Sequence, residues 1–209
     1  MEIKPDSLSW KSVYKLLIGS VLPRPIGWIS SINDQGQPNL APFSFFNIVC
    51  ANPPTILFCP MVRSGDNQLK DTLQNIRETG EFVVNIVSGE LVEKMIKTSV
   101  EAPYGVNEFD YAGLTPKLSS VVTPPRVAES PIHFECKLNQ IIDISLNPGG
   151  GSVVIGTIVH MHIDERLMIG EDKIDLARLT PIGRLAGNSY VRVTDIFDIE
   201  RPPAWKELR

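Results

Sequence analysis

The segment PMVRSGDNQLKDT, residues 60 to 72, brings two cations and two hydroxyls close together: Arg63, Ser64, Lys70 and Thr72. It leaves an apolar run, passes through a loop containing Gly65, and enters a stretch of helical periodicity. The first turn of a helix carries unpartnered N–H groups and positive partial charge, so an anion is favoured there. Arg and Lys add full charges and a Ser or Thr hydroxyl adds a donor, which together suit a phosphate. The same residues also fit a solvated loop whose cations face water.

A second unusual stretch is APFSFF, residues 41 to 46, three phenylalanines around one serine in a strand-like run with neither face plainly polar. Other chemical signatures fail. No Gly-x-x-x-x-Gly-Lys-Ser/Thr loop occurs, and PGGGSVVIG lacks a dinucleotide fingerprint's third glycine and precedes a strand. Gly-x-Ser-x-Gly is absent, although a triad assembled from distant positions stays open. His160 and His162 share a strand face, but no nearby carboxylate or cysteine cluster completes a ligand set, so no metal is expected. Cys50, Cys59 and Cys136 each lie in an apolar run without a Cys-x-x-Cys pair and are expected as buried, reduced thiols.

The elements that must position these residues follow from periodicity. PIGWISSI (25 to 32) and PNLAPFSFFNIV (38 to 49) flank NDQGQ and read as a β-hairpin. PPTILFCPM (53 to 61) and EFVVNIV (81 to 87) are further strands. Between them Leu69, Leu73 and Ile76 recur at helical spacing, with Gly80 where a helix would stop. A second helix is expected in GELVEKMIKTSV, residues 89 to 100. Residues 101 to 130 lack a sustained period and read as an irregular excursion with at most short helical turns. PIHFECKL and SVVIGTIVHMHI alternate cleanly around the turn NPGGG, and a last strand is expected from Tyr190 to Val193. Strands do not alternate regularly with helices, so an antiparallel barrel is expected over a doubly wound sheet.

The 209 residues carry Lys+Arg 20 against Asp+Glu 24, which argues for one domain and against a nucleic-acid footprint. The N-terminus shows no export signal and no apolar run long enough to span a bilayer, so a cytoplasmic protein without membrane association is expected.

Taken together, RPIGWISSINDQGQPNLAPFSFFNIVCANPP (24 to 54), RSGDNQLKDTLQNI (63 to 76), GEFVVNIV (80 to 87) and TPIGRLAGNSYVRV (180 to 193) resemble the flavin-reductase-like proteins of the FMN-binding split-barrel class. Order and spacing match over roughly residues 10 to 200. The resemblance implies a mainly β fold, a six-stranded antiparallel Greek-key split barrel with two or three added helices. It implies a single domain over 1 to 209 with a C-terminal tail at 200 to 209, normally a homodimer binding FMN non-covalently near the subunit interface. It also implies that APFSFFN lines the flavin ring and ribityl chain and that RSGDNQLKDT meets the phosphate.

The expected cofactor-binding set is Trp28, Ser30, Pro42, Phe43, Ser44, Phe45, Phe46, Asn47, Arg63, Ser64, Lys70, Asp71 and Thr72. The phenylalanines supply wall and Ser44 and Asn47 supply donors for a flat ring with polar edges. Trp28 is either a stacking surface or core. Two positions depart from the family pattern: Pro42 replaces a common threonine and Ser152 a common histidine.

The resemblance implies an NAD(P)H-dependent oxidoreductase in which hydride passes to flavin N5 and electrons go on to a small-molecule acceptor, with no protein acid or base required. Two alternatives stay open, a flavin carrier without turnover and an oxidase akin to pyridoxamine-phosphate oxidases. The latter needs a further basic cluster, and only Arg24, Arg184 and Arg192 offer one.

Overall fold

A computed structural model describes residues 1–202. The chain opens with helix α1 (Trp10–Ser20), then strands β1 (Gly27–Ile32), β2 (Pro38–Phe43), β3 (Phe46–Ala51) and β4 (Pro54–Phe58). Helix α2 (Asp71–Thr79), strand β5 (Glu81–Ile86) and helices α3 (Val92–Lys97) and α4 (Glu108–Ala112) follow. Short β6 (Pro116–Lys117) and β7 (Arg126–Val127) pair with each other before the long hairpin β8 (Ile132–Ser145) and β9 (Gly151–Ile163). The described chain then holds β10 (Met168–Ile169), β11 (Lys173–Ile174), α5 (Leu176–Leu179), β12 (Ile182–Arg184) and β13 (Tyr190–Arg192).

Seven strands form one antiparallel sheet in the order β2-β1-β5-β8-β9-β4-β3. Its two edge strands, β2 and β3, are consecutive in the chain with only Ser44 and Phe45 between them. Three residue steps reach about 11 Å at most, so the sheet must curl until its edges meet there. Because β2 pairs only with β1 and β3 only with β4, the barrel stays split at that corner. Bulges in the β8–β9 ladder at Glu135/Cys136, Leu138/Gln140 and Asp143/Ser145 give the two longest strands the coil this closure needs. The continuous strand expected over 38 to 49 is thus two strands on opposite edges of one sheet.

The barrel interior is filled from every wall by Ile29, Phe43, Ile56, Phe58, Phe82, Val84, Cys136 and Val154, and α2 closes one end with Leu73 and Ile76. Phe58 packs against Phe43 and Phe82 with ring centroids 5.0 and 5.5 Å apart. Each such buried ring stabilises the fold by roughly 2–3 kcal/mol. Helix α2 ends where Gly80 takes φ 70°, a left-handed cap closed by its N–H donating to the Ile76 carbonyl.

A second apolar layer lies outside the barrel, where Met95 of α3 and Phe109 and Ala112 of α4 cover Trp28 and Leu40. This explains why β1 is buried on both faces within one chain. The excursion at 101 to 130 is held down by this layer and by the buried Glu135 carboxylate, which accepts from the Ser120 and Val121 N–H groups at 2.7 Å each.

The described residues contain five α-helices where two or three were expected. Two of the additional ones, α4 and α5, are single turns. The third, α1, is a full helix: Ser9 caps it by accepting from the Ser12 N–H, and Trp10, Val13, Tyr14, Leu17 and Ile18 recur at helical spacing. The cysteine expectation holds for Cys136, which is buried and whose thiol burial pushes up. It fails for Cys50, which is exposed because β3 is an edge strand, and Cys59 is half-buried. Residues 203 to 209 of the expected tail lie outside the described residues. No helix among the described residues is long and apolar enough to cross a membrane.

Candidate flavin-binding groove

Strand β4 delivers the chain to Met61, and the loop from Val62 to Leu69 folds back so that the Arg63 N–H donates to the Gln68 carbonyl before Lys70 caps α2. Arg63, Lys70, Asp71 and Thr72 line one cleft together with Asn39, Pro42 and Phe43 from β2 and residues 98 to 102 after α3. The expected phosphate residues and part of the expected ring wall therefore share one surface. Arg63 is nearly buried; its Nε lies 3.3 Å from Asp66 Oδ1, an ion pair without hydrogen-bond geometry, and its Nη1 donates to Asp71 Oδ1 at 3.5 Å. A guanidinium whose ion pairs are long and poorly aligned keeps donor capacity for an anion in the cleft. Burial pushes the Asp71 carboxyl up while Arg63, 3.5 Å away, pulls it down.

Beneath the rim lies a buried polar floor. The Glu108 carboxylate accepts from Asn39 Nδ2 at 3.0 and 3.1 Å and from the Leu40 N–H at 2.9 Å. Asn39 Oδ1 in turn accepts from Thr72 Oγ1 at 2.7 Å and Ser31 Oγ at 3.3 Å, and Asn75 donates to Ser31 at 3.1 Å. Burial pushes the Glu108 carboxyl up, opposed by its Leu40 and Asn39 donors. The hydroxyl proton of Thr72 is committed to this floor, so Thr72 lines the cleft as part of its frame.

Two more clefts adjoin the first. One of about 300 Å³ runs past Pro42 and Ser44 between Tyr14 and Ile18 of α1 and Arg24, Arg184 and Tyr190. Another of about 790 Å³ extends along α1 past Trp10 and Tyr14 to Met61, Ser64, Lys70 and Glu101. Shared residues make them a continuous groove, and its size suits a tricyclic ligand with a phosphorylated side chain. A separate cleft of about 490 Å³ beside α5 and residues 192 to 196 shares no residue with it.

Ser44 lines the groove's middle, while Phe45 beside it lines none of the three clefts. Arg24 Nε donates to Ser44 Oγ at 3.4 Å, and the Arg24 guanidinium lies 5.9 Å from the Phe45 ring centre. Arg24 also donates to the Ile18, Val21 and Leu185 carbonyls, which ties α1, β1 and the last hairpin together. Phe43 fills the barrel as well as the cleft. Phe46 packs inward so closely on Gly27 that a Cβ there would lie 2.7 Å from its ring.

Several expected site residues lie elsewhere. Trp28 is fully buried and donates from Nε1 to Thr98 Oγ1 at 2.8 Å, so it is core and offers no stacking face. Ser30 is equally buried and donates to the Pro125 carbonyl. Asn47 points to solvent and accepts from its neighbour's N–H, the Ile48 N–H at 2.8 Å. Ser152 is buried against Asp143, which also pairs with Arg77 of α2, and lines none of the three clefts. His162 pairs with Glu135 at 2.6 Å, its ring centre 4.6 Å from that of His160, and no three metal-ligating side chains converge among the described residues. Sequence reasoning missed Tyr14, Ser99 and Glu101 at the groove, since Tyr14 lies on the unexpected helix α1 and the other two in stretches that carried no chemical signature.

A family model described as flavin reductase like domain matches residues 18–174, well over half of the chain. The chain belongs to the flavin reductase family. A protein from Aquifex aeolicus is 41% identical over 92% of this chain and 95% of its own length. Among solved structures, nitrilotriacetate monooxygenase component B from Bacillus cereus is 36% identical with TM-score 0.89, covering 95% of this chain and 98% of that one. The Pseudomonas fluorescens 2-nitrobenzoate 2-nitroreductase NbaA is 34% identical with TM-score 0.86, covering 97% and 96% respectively. The fold is the flavin reductase split barrel and the protein is a flavin-dependent oxidoreductase.

Proposed function

We propose that this flavin reductase binds FMN non-covalently in the groove and uses NAD(P)H to reduce it, with electrons passing to a small-molecule acceptor. The single observation that carries the choice of FMN is the gathering of two cations, Arg63 and Lys70, at the end of an apolar groove. Bound flavin supplies the hydride-accepting atom. The chain's own residues bind and orient: Arg63, Ser64 and Lys70 hold the phosphate, and Pro42, Phe43 and Ser44 with Tyr14 and Ile18 wall the ring. Asp71 and the Asn39–Glu108 floor keep the cations and β2 in place. No titratable side chain is assigned a proton to move.

The second reading, a carrier without turnover, is favoured by the position of Ser152, which contributes nothing to the groove. Anaerobic addition of NADH or NADPH to the flavin-loaded protein separates the two. Bleaching of the flavin band at a catalytic rate supports the reductase, and an unchanged band leaves a carrier.

The working unit in this reading is a cytoplasmic homodimer. Ile48 and Val49 on the bare edge strand β3 are 71% and 48% exposed, and Leu17 on α1 and Val21 just after it are 56% and 60% exposed. A second copy of the chain is the natural cover for such apolar surface beside the groove. Light scattering at micromolar concentration should give twice the chain mass, and a monomer contradicts the dimer.

A further inference from the structure

An acidic side chain occupies the place where the flavin phosphate is expected. Glu101, just beyond α3, accepts at Oε1 from the Ser64 N–H at 3.3 Å and from Ser64 Oγ at 3.4 Å, and stands 3.7 Å from Lys70 Nζ. Its other oxygen lies 2.9 Å from where a Cβ on Gly65 would be, so the carboxylate sits close over the loop. These donors are a backbone N–H, a hydroxyl and an ammonium, the set a phosphate monoester uses. The contacts are long, and the side chains of Lys70 and Glu101 are 29% and 34% exposed. The carboxylate is therefore seated loosely enough to be displaced, unlike Glu108, which accepts three hydrogen bonds while buried.

We propose that Glu101 is a built-in competitor for the flavin phosphate, a residue that sets how firmly the phosphorylated flavin is retained. This rests on the flavin reading of the groove. With the site empty, Glu101 neutralises Lys70 and holds the loop in its binding shape. When a phosphate enters, the carboxylate must leave the Ser64 donors, and its charge still opposes the dianion nearby. Both effects weaken retention, and both act only on the phosphorylated form, so that FMN stays exchangeable and reduced flavin is free to leave. Two unit charges about 4 Å apart interact by about 1 kcal/mol in water and more near a protein surface, equivalent to at least about fivefold in affinity.

The test is titration of the flavin-free protein with FMN and with riboflavin, followed by quenching of flavin fluorescence, for the wild type, Glu101→Gln and Glu101→Ala. Inorganic phosphate serves as a competitor of FMN. The proposal expects both variants to bind FMN at least about fivefold tighter, with riboflavin changed less than about twofold and phosphate competing more strongly. Unchanged or weaker FMN binding in both variants overturns the role of Glu101 while leaving the flavin site intact. Equal tightening for riboflavin also overturns it, because the effect then lies with the ring and not the phosphate. Quenching by neither flavin in any of the three proteins overturns the flavin reading and the proposal together.

Discussion

Two carboxylates, Glu108 and Glu101, stand on the same cleft and differ in almost every physical respect. Glu108 is 4% exposed and meets Asn39 and the Leu40 N–H at 2.9 to 3.1 Å, fastening α4 to β2. Glu101 sits at the rim with contacts of 3.3 to 3.7 Å to Ser64 and Lys70. A buried carboxylate with a full donor set is part of the frame, because removing it strands its partners. A half-exposed one is screened by water and contributes little to stability, so its donors are available to a ligand. The cleft thus has a floor that must not move and a rim that can exchange partners.

The largest expected effect breaks the floor. Glu108→Ala leaves the Asn39 amide and the Leu40 N–H buried without an acceptor and should cost about 3 kcal/mol in urea denaturation. Glu101→Ala should stay within about 0.5 kcal/mol of wild type. Equal losses would erase the distinction between the two carboxylates.

Acid extends the comparison to another buried polar group. His133 is buried, its Nε2 lies 2.7 Å from the Val127 carbonyl, and burial lowers its pKa to about 4. The unfolded chain binds the proton near pH 6.5 and the folded chain only near 4, so stability is complete above about 6.5 and falls as the pH drops toward 4. At pH 5 the loss relative to pH 7 from this group should be about 2 kcal/mol. Burial raises the Glu108 carboxyl, so that group acts with the opposite sign: its ionised form costs stability, and acid relieves the cost. Denaturation at several pH values in wild type and Glu108→Gln should show the steeper acid loss in the variant, where only the His133 contribution remains of the two.

At the rim the effects are smaller and fall on binding. Lys70→Ala should raise the Kd for FMN about tenfold and leave riboflavin unchanged, with no loss of stability. Ser64→Ala, which removes one neutral donor, should weaken FMN about threefold by the same fluorescence titration. Weakening of riboflavin to the same degree would mean that these residues shape the groove without touching a phosphate.

Much of this arrangement was legible in the sequence because local periodicity and the key contacts coincide. The Leu69, Leu73, Ile76 spacing with Gly80 placed α2, and the alternation around NPGGG placed the β8–β9 hairpin. The corner at Ser44 was not legible, since Phe43 and Phe46 are both apolar and both pack inward although they belong to opposite edges of the sheet. Strand propensity alone reads through such a corner; only closure of the barrel requires the break. What buries Trp28 and Ser30 comes from far along the chain, α3 and α4 over Trp28 and the segment at Pro125 over Ser30, so neither burial shows in the local pattern. Glu101 was unreadable for the same reason, since its partners Ser64 and Lys70 lie more than thirty residues earlier.

The central claim, that the loop from Arg63 to Lys70 receives a flavin phosphate at the end of an apolar groove, is tested most directly by comparing FMN with riboflavin on the flavin-free wild-type protein. The account predicts quenching by both, with FMN bound at least about tenfold more tightly and the difference shrinking as salt is raised. Equal affinities for the two flavins, or quenching by neither, would contradict it.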